Sequence, residues 1–359
     1  MTITKADQIL DTLIEQNRSF VIYRLPGETS PRFLMQTTGS PEVFQNIEEL
    51  NDKKGFVIAP FRVSASSPVL LIQPDCFDLD KAVLTKPEEQ EQRNREQNSI
   101  HNSIDKTKYG QLFDHFVSPL KKEEIKKLVL SRTKTIEKEK AFSPGRSFFK
   151  AAEKYIYSYV YLLHTPQTGT WLGSTPEVLL SKDKKVWKTI ALAGTRYPNS
   201  TQISWDEKNL EEQEVVSSYL HNQLSSFGII PETKGPYTIK AGELAHLRTD
   251  FRFQLSEPYA LGTLLRTLHP TPAVSGLPKN EAYQFIKKNE GYDRLYYSGF
   301  LGLLDIDGET DIYVNLRCML IEKSSLTLFA GGGLLASSSP EEEWEETEQK
   351  LQTMLGILK

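Results

Sequence analysis

Apolar positions in the first twenty residues recur at helical spacing. Ile9, Leu10, Leu13 and Ile14 fall on one face, which predicts an amphipathic helix over 1–20. Short apolar runs then predict strands at Phe20–Arg24, Gly55–Pro60 and Val69–Ile72. The stretch Lys86–Lys108, KPEEQEQRNREQNSIHNSIDKTK, is poor in apolar residues and reads as an exposed connection. Beyond it the pattern tightens. A helix is predicted over Tyr109–Lys127, leading into a strand at Leu128–Leu130, and a second helix over Ser147–Lys154. Strands follow at Tyr155–Leu163, Thr170–Leu180 and Lys188–Gly194, then a helix over Trp205–Ser225. Further strands are predicted at Tyr237–Lys240, His246–Gln254, Gly299–Asp305, Thr310–Ile321 and Leu326–Ala330, with a closing helix over Pro340–Leu358. There is no internal repeat. Runs of strands separated by helices, with hairpin turns such as Asp307-Gly308, predict an α+β fold with mainly antiparallel sheets rather than a doubly wound one.

Composition narrows the class. A chain of 359 residues suffices for one large domain or two smaller ones with a sizeable core. A formal net charge of -4 argues against a general nucleic-acid binder. Two cysteines, Cys76 and Cys318, lie far apart without metal-ligand spacing, as expected of a reduced, cytoplasmic protein. The first twenty residues carry acids and no apolar core, so no signal peptide is expected. Nor is any stretch long and apolar enough to predict a membrane span.

The candidate chemistry begins near the end, at AGGGLLASSSPEEEWEETEQKL, residues 330–351. Ser339 is placed to cap a helix, Pro340 suits its first position, and Glu342 completes a capping box. Glu343, Glu346 and Lys350 share one face, next to a stripe of Leu351, Met354 and Leu358 that should be buried. Two explanations stand side by side. The acids form a solvated helix face, or two of them hold a divalent cation while a glycine loop, Gly331–Gly333, lets a ligand approach. A second acidic helix, with DEKNLEEQEVV at 206–216, adds weight to the metal alternative without deciding it.

Several motifs then occur in order: KLVLSR at 127–132, GSTPE at 173–177, LAGTR at 192–196, the acidic helix with Glu212, and His246-Leu247. LHPTPAVSG at 268–276, DRLYYSG at 293–299, Asn315-Leu316-Arg317 and the AGGG…EEEWEETEQK segment complete the series. Over about 109–359 the chain thereby resembles the chorismate-utilising enzymes, which include isochorismate, salicylate, anthranilate and aminodeoxychorismate synthases. The region 1–108 matches only loosely and reads as a divergent N-terminal part of the same fold. The resemblance implies a single large α+β domain of two packed sheets flanked by helices, the anthranilate synthase-like fold. It also implies chorismate as substrate and Mg2+ as cofactor, held by Glu212 and Glu346 with Glu343 close by.

Within that family the nucleophile separates the branches. The branch that forms a covalent adduct has a lysine where this chain has Ala193, and an alanine cannot form the adduct. A tryptophan-sensing N-terminal motif is not evident either. Water is then the expected nucleophile, and no glutamine amidotransferase partner is expected. Lys127 matches the water-activating base and Glu177 the general acid that protonates the departing C4 hydroxyl. A lysine base needs burial or a nearby cation to be partly deprotonated. Without the resemblance, Lys127 would read as an ordinary strand-end lysine and Glu177 as a turn glutamate. Tyr297 and Arg317 match positions that hold the enolpyruvyl carboxylate. Gly331 and Gly333 would admit backbone contact to the ligand, with Thr195 and Lys350 as further contacts. His246 and His269 are expected behind the site. These matches imply isochorismate synthase, in menaquinone or siderophore supply, with salicylate synthase or a non-catalytic chorismate binder as alternatives. Leu295, Tyr296 and Asn209 depart from the family pattern, where glycine, tryptophan and an acid are usual.

Overall fold

The computed structural model describes residues 3–82, 103–196, 204–241, 244–255 and 260–358. Two antiparallel sheets face each other. The first runs, in spatial order, Gly276–Leu277, Lys127–Glu137, Ser325–Leu334, Cys318–Ile321, Gly169–Thr175, Tyr159–Thr165, Phe20–Arg24 and Arg32–Met35. The second runs Glu232–Ala241, Leu244–Phe253, Val186–Arg196, Val178–Asp183, Glu309–Val314, Phe300–Ile306, Gly55–Ala59, Val69–Ile72 and Glu42–Phe44. Residues before 109 supply strands to both sheets, so the N-terminal region is woven into the core. The α+β expectation holds. Most of the connection at 86–108 lies outside the described residues; its end is helical, because Asp105 caps a helix that starts at Lys106.

Period-2 patterning explains why the sheets pack. In Phe20–Arg24, Val21 and Tyr23 join the core between the sheets, while Phe20 and Ile22 face the helices outside the first sheet. The inter-sheet layer is aromatic: Trp171 stacks on Phe329 at 5.5 Å, and Tyr159 on Tyr313 at 4.3 Å. Helices Ile3–Glu15, Pro144–Lys154 and Pro340–Leu355 cover the first sheet. Glu207–Ser226 and Leu261–Leu268 cover the second. Each large apolar side chain so buried contributes about 1.5–3 kcal/mol.

Three sequence expectations are corrected. The runs Thr170–Leu180 and Thr310–Ile321 are not single strands. The first breaks at Pro176 and the second at Asn315–Arg317, and at each break the chain passes from one sheet to the other. The glycines are not a loop: Gly331, Gly332 and Gly333 lie inside strand Ser325–Leu334, paired with Ser131, Leu130 and Val129. Glycine disfavours strands in isolation, but the eleven-residue partner Lys127–Glu137 fixes the ladder. Ser339 makes no side-chain cap for the last helix. Its neighbour Ser338 instead accepts from Leu335 N–H and donates to Glu343 Oε1.

Leu295, where the family pattern has glycine, adopts φ +52° in the inter-sheet core. Left-handed backbone costs a leucine about 1–2 kcal/mol and glycine almost nothing. The usual order of truncations should therefore invert here. Leu295→Gly is expected to be more stable than Leu295→Ala by about 1 kcal/mol, as read by urea denaturation; an alanine variant of higher stability would contradict the backbone assignment.

Candidate active site

The cleft lies where the chain crosses between sheets. Thr175-Pro176-Glu177 and Asn315-Leu316-Arg317 are the two crossings, and they are fastened to each other. Val314 N–H donates to Glu177 O at 2.9 Å, Thr175 Oγ1 to Val314 O at 2.7 Å, and Ser174 N–H to Arg317 O at 3.1 Å. Arg317 takes φ +42° at its crossing. Glu177 and Arg317 are thereby delivered into one cavity, also lined by Ala193, Glu212, Tyr297, Gly331, Gly333 and Lys350.

One nearly bare stretch of strand Ser325–Leu334 makes room for this cavity. A Cβ on Gly333 would stand 2.2 Å from Glu212 Oε1, and one on Gly331 would stand 2.9 Å from Tyr297 Oη. A Cβ on Gly332, on the opposite face, would meet Glu343 Oε2 at 2.7 Å and Glu346 Oε1 at 3.6 Å. Three glutamates from two helices thus crowd one stretch of backbone. Each carries a lysine: Lys127–Glu212 at 2.9 Å, Lys208–Glu343 at 2.5 Å and Lys350–Glu346 at 2.7 Å. Burial works to raise Glu212, but Lys127, Lys208 and Lys350 outweigh it and hold its carboxyl below the usual range. Glu343 goes the other way: burial, then the neighbouring Glu346, push it up to about 7.

These carboxylates suit a magnesium ion, which takes one or two carboxylates and completes its shell with water and ligand oxygens. Glu343 Oε2 is buried with no hydrogen-bond partner among the described residues. Among the described residues no three acidic, histidine or cysteine side chains form a ready-made cage.

Glu177 is buried on the facing wall. Burial pushes it up to about 7, against the lowering effects of the Thr271 hydrogen bond and of Lys127, Lys350 and Arg317. Thr271 Oγ1 donates to Glu177 Oε1 at 3.3 Å. Arg317 Nη2 donates to His246 Nε2, so His246 Nδ1–H donates to Gly194 O, 2.9 Å away. Burial, then Arg317, hold His246 well below its usual value and keep it neutral. His269 is packed against Phe300.

The structure brings together Lys127, Glu177, Glu212, Tyr297, Arg317, Gly331, Gly333, Glu343, Glu346 and Lys350. Thr195 belongs to strand Val186–Arg196, and its side chain lies outside the described residues. Of the two conditions named for a lysine base, burial or a nearby cation, Lys127 has the burial, with no exposed surface, and its ion-pair partner is the Glu212 carboxylate. Lys350 bridges Glu346 and the Gly331 carbonyl. Sequence reasoning missed Lys208 and Thr271. Lys208 stands one helical turn before Glu212, a spacing that puts both on one face and was the available signal. Asn209 instead turns back onto Asp206 at the helix start.

A sequence profile described as "Chorismate binding enzyme" matches residues 49–359. The isochorismate synthase EntC of Escherichia coli is 33% identical over 246 residues, covering 65% of this chain and 62% of that one. The chain thus matches about three fifths of that relative's length. The structure of MenF, the menaquinone-specific isochorismate synthase of Escherichia coli, superposes with a TM-score of 0.78 at 21% identity, covering 98% of this chain and 91% of that one. Anthranilate synthase component I from Streptococcus pneumoniae superposes with a TM-score of 0.62 at 16% identity, covering 94% and 90%. Both share the fold.

The elevated Glu177 has a thermodynamic signature. Its folded pKa, about 7, lies above its ordinary 4.5, so the folded state binds that proton more tightly. Stability is then lost as pH rises from about 4.5 to about 7, and the whole cost is present above 7. Glu177→Gln is expected to stabilise the protein at pH 8, by on the order of 3 kcal/mol, and to give no gain at pH 4. Thermal denaturation at the two pH values reads this directly; equal effects at both would contradict a buried carboxyl that resists ionisation.

Proposed function

The chain belongs to the chorismate-binding enzymes, and on that premise we propose that it is an isochorismate synthase that adds water to chorismate, supplying menaquinone or siderophore synthesis. The observation that carries this reading is the buried Glu177, pushed up to about 7 and so able to hold a proton at neutral pH. Opposite it, Glu212 lines the cavity, with Lys127 behind it. Ala193 in the cavity wall supports water as nucleophile, because it offers no amine for a covalent adduct.

The proposed chemistry uses this chain's residues as follows. Arg317 and Tyr297 hold the enolpyruvyl carboxylate, the guanidinium as a two-point donor. In its neutral amine form Lys127 Nζ takes a proton from water, and the resulting hydroxide oxygen bonds to C2 of the ring. The ring double bonds shift, the C4–O bond breaks, and the departing hydroxyl leaves as water with the proton of Glu177. Because Lys127 lies behind the Glu212 carboxylate, that carboxylate must move aside before Nζ can meet water. Glu212, Glu343 and Glu346 would hold magnesium, which when bound would offset the charge of the ring carboxylate.

Purified protein incubated with chorismate and Mg2+ is expected to give an isomer of unchanged mass and no pyruvate, read by liquid chromatography with mass detection. Salicylate with pyruvate would move the assignment to salicylate synthase, and an aminated product in ammonium buffer would overturn water as nucleophile. Lys127→Ala is expected to lower turnover roughly 10²–10⁴-fold while chorismate still binds. Full activity in that variant would remove Lys127 as the base.

A further inference from the structure

The three lysines at the acidic cluster are not equivalent. Lys127 is enclosed, and Lys350 is also tied to the Gly331 carbonyl at 2.9 Å. Lys208 reaches from helix Glu207–Ser226 to Glu343 on helix Pro340–Leu355, and its side chain keeps 22% of its surface in solvent. It therefore has a way out. Its long stem can carry the ammonium from the carboxylate into water without disturbing the backbone.

The charge around it is shared. Burial works to lower Lys208, but Glu343, Glu346 and Glu212 outweigh it and hold the ammonium above its usual range. One flexible cation thus neutralises the oxygens that a divalent ion would take. Glu343 uses Oε1 for both Lys208 and Ser338, while its Oε2 has no hydrogen-bond partner among the described residues. The carboxylate is thereby held in place with one oxygen still open.

We propose that Lys208 is a resident counter-cation that a divalent ion must displace from Glu343, so that this lysine sets how tightly the chain binds metal before substrate arrives. The proposal rests on the metal reading of Glu212, Glu343 and Glu346. Without metal, Lys208 keeps the paired acids of helix Pro340–Leu355 from repelling each other. With metal, the ion takes over that role and the lysine leaves for solvent. Affinity is thereby lowered by design, because each binding event must first break an ion pair.

The test is calorimetric titration of Mg2+, and separately Mn2+, into the metal-free full chain without chorismate, for the wild type, Lys208→Met and Lys208→Arg. Lys208→Met is expected to bind metal roughly tenfold tighter, and Lys208→Arg about as the wild type. Metal-free Lys208→Met should melt lower than the metal-free wild type and gain more in Tm on adding metal. Equal or weaker metal binding by a folded Lys208→Met would overturn the proposal and leave the metal site standing. No metal binding by any of the three would remove the metal site itself, and the proposal with it.

Discussion

Everything at the cleft depends on two chain crossings being fastened together. Each of the two long runs, 169–183 and 309–321, leaves one sheet and enters the other, and the crossings share three hydrogen bonds involving Ser174, Thr175, Glu177, Val314 and Arg317. Those bonds fix the separation of the sheets at one end of the sandwich. They also explain why an acid and a guanidinium face the same space. Both sit at the turn of a crossing, where neither sheet uses their side chains for packing. Arg317 accepts a left-handed backbone there, and Pro176 ends the pairing of its strand.

Around that frame the protein maintains an uneconomical set of charges. Buried ion pairs seldom add stability over apolar packing of the same volume. Here Lys127–Glu212 and Lys208–Glu343 lie beneath the cleft, and a third pair, Lys350–Glu346, lies beside them. A core optimised for stability would have replaced them with aliphatic side chains. Their presence, together with a glutamate that resists ionisation on the opposite wall, marks the region as built for chemistry. The same logic separates this cluster from Arg294–Glu290. That pair is more deeply buried, and its remaining donors go to the carbonyls of Val129 and Val274, so it is structural bracing behind the wall.

The sequence was most legible where local pattern and tertiary role agree. Val69–Ile72 and Phe20–Arg24 are strands by any reading, and the helix with Glu212 and the helix with Glu346 are close to where their periodicity puts them. It was least legible where long-range contacts overrule local preference. Glycines 331–333 look like a loop until their partner strand is known. The polar half of Lys127–Glu137 looks unlike a strand because Arg132 spends its side chain on Thr347 and Glu348 of the last helix. Candidate site residues came from ordered motifs, which name positions but not partners. That is why Glu212 was anticipated and its pairing with Lys127 was not. Thr271 was quoted within its motif without a role, since only the fold shows it against Glu177.

The glycine strand also bears on how such a protein can change over generations. A floor made of backbone offers selection no side chain to exchange. Any single replacement there collides with Tyr297, Glu343 or Glu212. Inherited variation that reshapes the pocket is therefore channelled to its walls, where Ala193 and Ala273 each present a small side chain that can be enlarged. The floor is a fixed boundary condition, and the walls are the free variables through which one architecture can acquire new reactions.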